Sequence, residues 1–392
     1  MNSSSLHFPW PLPVGSSAQG GLCNKRLKNV DAYLERLIGE RVIAGAMTLI
    51  ARHGCIAHQR CYGFMDVEKN IPMREDTIFR LYSMTKPVVS VVTLMLVEEG
   101  VWALNDPVSR FFPAFADLQV AEPGPENPSR LVPLRRPITI HDLLTHTGGL
   151  TYPFNCCFNY PGDSAHFIDA ISKIPLAAQP GEKWIYSASN DILGCMIEKV
   201  TGQRLDQVMA ERVFRPLGMD DTGFTVPEKK RVRFSALYKH DDQIRIVRRE
   251  NDDHPYFEQP IFLSGGSGLT GTTADYLRFC LMLLRGGEWN GIRLLSRKTV
   301  ELMRQDHLPP GHPPIVPFNF GYGYGVSVIR SLAEKKDLCS VGEFGWGGAA
   351  GTNAWIDPAE DMISMIMLQL YPSKGPFIDH RVKTLFTQAI VD

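Results

Sequence analysis

Three groups of residues in this 392-residue chain have types and spacing suited to covalent acyl chemistry. The first is Ser83 with Lys86, within Phe79-Arg80-Leu81-Tyr82-Ser83-Met84-Thr85-Lys86-Pro87. A helix that begins near Ser83 advances most of one turn over three residues, so hydroxyl and amine project from the same face. A serine hydroxyl must lose its proton as it attacks, and a lysine takes that proton only when neutral. The reference lysine pKa is about 10.4, so the ammonium form has to be disfavoured by burial, a second cation or the positive end of a helix. Pro87 suits the start of a helix but biases Lys86 away from the α region, which points to a tight helical entry.

The second group is Trp184-Ile185-Tyr186-Ser187-Ala188-Ser189-Asn190, at the entrance of a predicted helix after the Pro180-Gly181 turn. There the Tyr186 phenol can face a cleft, and a tyrosine beside a cation can relay a proton. The third is Gly345-Trp346-Gly347-Gly348-Ala349-Ala350-Gly351, at the start of a predicted strand. Residues this small let a substrate lie against the strand edge, where a backbone N–H binds a developing oxyanion; one such donor is worth about 3 kcal/mol.

The surrounding pattern indicates what holds these groups. Residues 1–23, rich in Ser, Pro and Gly, read as a flexible arm. A helix is predicted from Asn24 to about Gly39, then a hairpin of residues 46–52 and 55–64 around His53-Gly54. A long buried helix over 88–99 ends at Gly100, and a proline-rich loop covers 122–137. Helices follow at 140–146, 166–174, 189–201, 205–214, 273–284 and 296–303. Between Val226 and Ile261 the chain turns polar and reads as a surface excursion with solvated charges. Ser264-Gly265-Gly266-Ser267-Gly268 suits a loop that approaches something closely, without any nucleotide-binding glycine spacing. Near the C-terminus the period becomes strand-like over 321–329, 338–344, 350–356 and 362–370, an antiparallel meander closed by a helix over 377–390. Strands from both ends most simply share one sheet. The expectation is an α/β (α+β) fold: an α/β domain from 24–82 and 265–392, and a mostly helical domain from 83–264 with the excursion 226–262.

Forty-one basic and 42 acidic side chains give a formal net charge of -1, which marks neither nucleic acid nor a membrane surface as partner and gives no steering of a highly charged substrate. The longest apolar runs, 88–97 and 362–370, are too short to span a membrane. The N-terminus lacks the basic and apolar regions of a secretory signal, so a cytoplasmic location is expected. Eight scattered cysteines form no metal-ligand spacing and read as free thiols, with Cys156-Cys157 the most reactive by position. His141 and His146, five residues apart, do not share a helix face and read as structural or hydrogen-bonding groups. No metal or cofactor is called for.

Ser83-Met84-Thr85-Lys86, Tyr186-Ser187 and Trp346-Gly347-Gly348, in that order, resemble the serine β-lactamase and penicillin-binding-protein superfamily. More closely they resemble the family VIII carboxylesterases, which have the class C β-lactamase fold. Residues 138–150 and Pro180-Gly181 support the resemblance, and it covers the chain from about residue 25 onward. It implies an antiparallel sheet flanked by helices, with Ser83 as the acylated nucleophile, Lys86 as its base and Tyr186 as the proton relay. The N–H groups of Ser83 and Ala349 would form the oxyanion hole, with Ser187, Trp346, Gly347 and Gly348 at the substrate. Two departures bear on specificity. Trp346 stands where a β-lactamase has the lysine of Lys-Thr-Gly, and Ala188 stands where Tyr-x-Asn has its amide. Both remove polar recognition, which favours a small-molecule ester of a small neutral acyl group over a lactam or peptide. A β-lactamase, D-amino-acid peptidase or acyltransferase of the same superfamily, or a non-catalytic scaffold, are the alternatives. An α/β-hydrolase is disfavoured, because no Gly-x-Ser-x-Gly occurs. The sequence sets no oligomeric state.

Overall fold

The continuous apolar runs at the two ends of the chain are explained by a sheet buried on both faces. The computed structural model describes residues 9–122, 130–152, 160–249, 254–374 and 377–392. Its main sheet has eight antiparallel strands in the order Gly321–Tyr322, Ser327–Val328, Phe344–Gly347, Asn353–Asp357, Met362–Met367, Gly45–Arg52, Cys55–Asp66 and Ile71–Pro72. The first strand therefore lies beside the last, with Met47 opposite Met367 and Arg52 opposite Met362. Alternate residues serve opposite faces. Met47, Leu49, Ala51, Met365 and Met367 enter the larger core, whereas Ala46, Ile50 and Ile366 enter a smaller core. That smaller core is closed by Leu27, Val30, Leu34 and Leu37 of the helix Asn24–Gly39 and by Val382 and Phe386 of the helix Ile378–Thr387. Each such side chain contributes about 2 kcal/mol relative to an exposed one.

The helical layer covers the opposite face. The helix Thr85–Glu98 is buried on almost every side, through Val88, Val89, Val91, Val92 and Leu94, and it packs on the helices Ser189–Thr201 and Leu205–Met209. It stops where Gly100, at φ +70°, lets Val101 N–H return to Leu96 O at 3.0 Å. The helix Ile140–Thr145 opens with a capping box between Thr139 and Asp142, and Arg136 holds Asp142 through two bonds of 2.6 and 2.8 Å.

Several expectations need correction. Residues 9–23 are not a loose arm: Gly15 N–H bonds Ile56 O, Cys23 N–H bonds Ala389 O and Leu22 is buried, because this segment runs along the sheet edge and the end of the last helix. The run 338–344 is mostly loop, with a strand only at Phe344–Gly347. The run 321–329 is two short strands folded about Gly325 at φ +75°. The flanks of the proline-rich loop pair as strands Gln119–Glu122 and Arg130–Pro133. The stretch 226–262 is only partly a surface excursion, since Phe234, Leu237 and Tyr238 are buried and Arg80 lies over the Phe234 ring at 4.1 Å. Cys156 and Cys157 lie outside the described residues. Among the described residues no helix is long and apolar enough to cross a membrane.

Candidate active site

The turn that carries Ser83 is held from every side. It follows the strand Ile78–Arg80, which pairs with Thr270–Thr272, and it passes through a 3₁₀ turn, Tyr82–Met84, directly into the helix Thr85–Glu98. Tyr82 sits at φ +47°, a conformation that costs a bulky side chain about 1–3 kcal/mol. Its surroundings impose it. Leu81 N–H bonds Leu269 O at 2.9 Å, Thr85 Oγ1 donates to Tyr82 O at 2.7 Å, and the Tyr276 hydroxyl donates to Met84 O at 3.0 Å. Gly348 closes against the same turn, where a Cβ would meet Leu81 O at 2.3 Å.

Around Ser83 Oγ the side chains converge. Lys86 Nζ donates to it at 3.2 Å and the Tyr186 hydroxyl donates to it at 2.8 Å. The Lys86 side chain has no exposed surface; it also donates to Gly266 O at 2.8 Å and lies 4.6 Å from the centroid of the Tyr186 ring. Trp346 Nε1–H points at the Tyr186 oxygen from 3.4 Å. A hydroxyl thus stands between an amine and a phenol.

A further layer fixes these groups. Asp191, buried in the first turn of the helix Ser189–Thr201, accepts from Ser264 Oγ at 2.6 Å and from Gly266 N–H at 3.1 Å. It thereby sets the loop that offers Gly266 O to Lys86. Only glycine fits there, since a Cβ on Gly266 would meet Asp191 Oδ2 at 2.7 Å. Burial raises the Asp191 carboxyl above its ordinary range, opposed by the Lys86 charge and by these hydrogen bonds. His146 caps its helix in the left-handed region at φ +56°, and its carbonyl accepts Ile185 N–H at 2.9 Å, which ties down the segment bearing Tyr186. Its ring packs 4.9 Å from that of Tyr186. Burial, aided by the Lys86 charge, holds the His146 imidazole neutral, well below its usual pKa.

A cavity of about 590 Å³ opens from Ser83. Near the serine it is lined by Trp184, Tyr186, Trp346, Gly347, Gly348 and Ala349, and beyond them by Phe318, Phe320, Trp355, Leu370 and Phe377. The structure therefore brings Ser83, Lys86, Tyr186, Trp346, Gly347, Gly348 and Ala349 together. Ser187 is a correction. It is buried behind Tyr186, where its Oγ lies 3.2 Å from His146 Nδ1 and 2.8 Å from Ser189 Oγ, and it does not line the cavity. Ala188 likewise belongs to the core. Sequence reasoning passed over Asp191, whose only signal was the glycine-rich loop more than seventy residues away. Among the described residues no group of three or more His, Cys, Asp or Glu side chains is placed to hold a metal ion.

Residues 30–388 match the Beta-lactamase family. The chain belongs to the beta-lactamase family. Within it, the chain is 36% identical to the protein Rv1367c of Mycobacterium tuberculosis over 361 residues, covering 87% of this chain and 89% of that protein. It is 34% identical to Esterase EstB of Burkholderia gladioli over 360 residues, covering 84% and 87%. Among solved structures it is similar to EstCE1, described as a hydrolase with promiscuous acyltransferase activity, at a TM-score of 0.79 and 26% identity, covering 96% of this chain and all of that one. The large antiparallel sheet with its helical layers is the beta-lactamase-family fold.

Proposed function

We propose that this beta-lactamase-family serine hydrolase cleaves carboxylic esters through an acyl-enzyme on Ser83. The observation that carries the reading is the placement of Ser83 Oγ, 3.2 Å from the Lys86 amine and 2.8 Å from the Tyr186 hydroxyl, at the mouth of a largely apolar cavity. Lys86 takes the serine proton as Ser83 Oγ attacks the ester carbonyl, and the N–H groups of Ser83 and Ala349 receive the developing oxyanion. Tyr186, held between Lys86, Trp346 and His146, passes a proton to the departing alkoxide oxygen. The alcohol leaves; the Tyr186 oxygen then takes a proton from the water that attacks the acyl carbonyl, the Ser83 Oγ–acyl bond breaks, and Lys86 returns its proton to Ser83 Oγ as the carboxylic acid departs.

Ester over lactam rests on Trp346. The indole meets Tyr186, Phe320 and Tyr322 at ring distances of 5.2–5.7 Å and offers no charge to a carboxylate beside the reacting carbonyl. A cavity of about 590 Å³ takes more than a short acyl group, so the acyl chain need not be small. The similarity to Esterase EstB supports hydrolysis, and the similarity to EstCE1 supports transfer to an alcohol as a second reading.

Ser83→Ala is expected to abolish turnover of p-nitrophenyl butyrate while leaving the melting temperature within a few degrees of the parent. Retained turnover would move the nucleophile elsewhere. Rates on aryl esters and on a chromogenic cephalosporin, measured in parallel, separate esterase from lactamase, and ester product formed with added alcohol identifies transfer.

A further inference from the structure

Ser83 occupies one part of the cavity, and charge occupies another. From Gly347 the cavity reaches Glu343, four residues of extended backbone or about 13 Å away. There the cavity is lined by Glu343, Lys335 and Lys383, while Asp379 lines it nearer Gly347, against Asn353. The two carboxylates are engaged by the protein: Glu343 pairs with Lys383, and Asp379 accepts Asn353 Nδ2–H at 2.9 Å. Lys335 is not matched in this way. Its side chain is only 9% exposed, it donates to Phe318 O at 2.9 Å, and among the described residues no carboxylate lies within 4 Å of it. Lys383 adds a positive charge to its field, and Asp337 and Glu343 add negative charges without contacting it.

A buried ammonium with one carbonyl partner and no carboxylate in contact is costly unless an anion meets it. One carbonyl uses one of its three donors, and the others remain for a ligand that enters the cavity. We infer that Lys335 receives a carboxylate carried on the substrate, at the end remote from the ester that Ser83 attacks. This rests on the ester reading above and narrows it to esters whose acyl or alcohol chain ends in a carboxylate. A monoanion fits better than a phosphate dianion, because Glu343 lines the same end. The apolar stretch formed by Phe318, Phe320 and Phe377 suits the methylene chain between the two groups.

The test uses p-nitrophenyl esters of succinic, adipic, suberic and sebacic acids with the far carboxylate free, each beside its methyl-capped counterpart. Acetate esters of ω-hydroxy acids, free and methyl-capped, serve as the alcohol-side series. At one chain length in one series, kcat/KM for the free acid is expected to exceed that of the capped ester by about tenfold or more. The ratio should fall to near one in Lys335→Met and return in Lys335→Arg. Because the ratio is taken within each protein, it is insensitive to the amount folded, and Lys335→Gln serves if the methionine variant does not fold. Equal or better rates for every capped ester, or a ratio that survives loss of the cation, would overturn the assignment while leaving Ser83 chemistry in place. If p-nitrophenyl acetate and every other ester here go unhydrolysed, the ester reading falls and this assignment falls with it.

Discussion

Lys86 has no exposed surface and, among the described residues, no carboxylate within 4 Å; its amine is held by hydrogen bonds to Ser83 and Gly266 and lies over the rings of Tyr186 and Tyr152. Folding alone would favour an apolar side chain of the same length. We therefore expect Lys86→Met to raise the melting temperature while lowering kcat/KM for aryl esters by about 10²–10⁴. A variant that is both less stable and fully active would contradict the role given to the amine. The candidate residues were legible here because Ser83 and Lys86 are three apart on one helical entry, so local geometry forces them together. Tyr186 and Trp346 were legible only as ordered motifs, since 160 residues separate them. Ser187 was misplaced because sequence shows that it neighbours Tyr186 but not that the chain direction turns it inward, toward His146.

At the scale of elements, the strands and long helices followed from periodicity, and the glycine-rich segments marked close approaches without naming what was approached. The partner of Gly266 is Asp191, and that of Gly348 is the turn at Leu81. The N-terminal segment was misread because its composition suggests a loose chain, whereas its backbone hydrogen bonds are supplied by distant elements. The helix Ile378–Thr387 is tied to the sheet by the buried pair Lys383–Glu343. Burial pushes the Glu343 carboxyl up to about 7 from 4.5, although Lys383 pulls it down. The native state thus binds the extra proton between those values, and this group's contribution to stability declines as pH rises through them. Removing the cation raises the carboxyl further and carries the decline above pH 7. Lys383→Met should accordingly lie close to the parent in melting temperature near pH 5 and fall progressively below it toward pH 8; a gap independent of pH would show that Glu343 is not the group concerned.

For the whole molecule, the topology explains why the site sits where it does. The Gly45–Arg52 and Met362–Met367 strands join the two ends of the chain in one sheet. The strand carrying Trp346 is thereby set against the helical layer that carries Ser83, Lys86 and Tyr186. The proposed site residues come from three separate stretches, and only the packed fold brings them within hydrogen-bonding distance. The central claim is that this packing activates one serine among all those in the chain. The most direct measurement is intact mass followed by peptide mapping after treatment with a p-nitrophenyl alkylphosphonate. The account predicts a single adduct, confined to the peptide containing Ser83 and absent from both Ser83→Ala and Lys86→Met. An unmodified native protein, or an adduct on another residue that persists in Ser83→Ala, would contradict it.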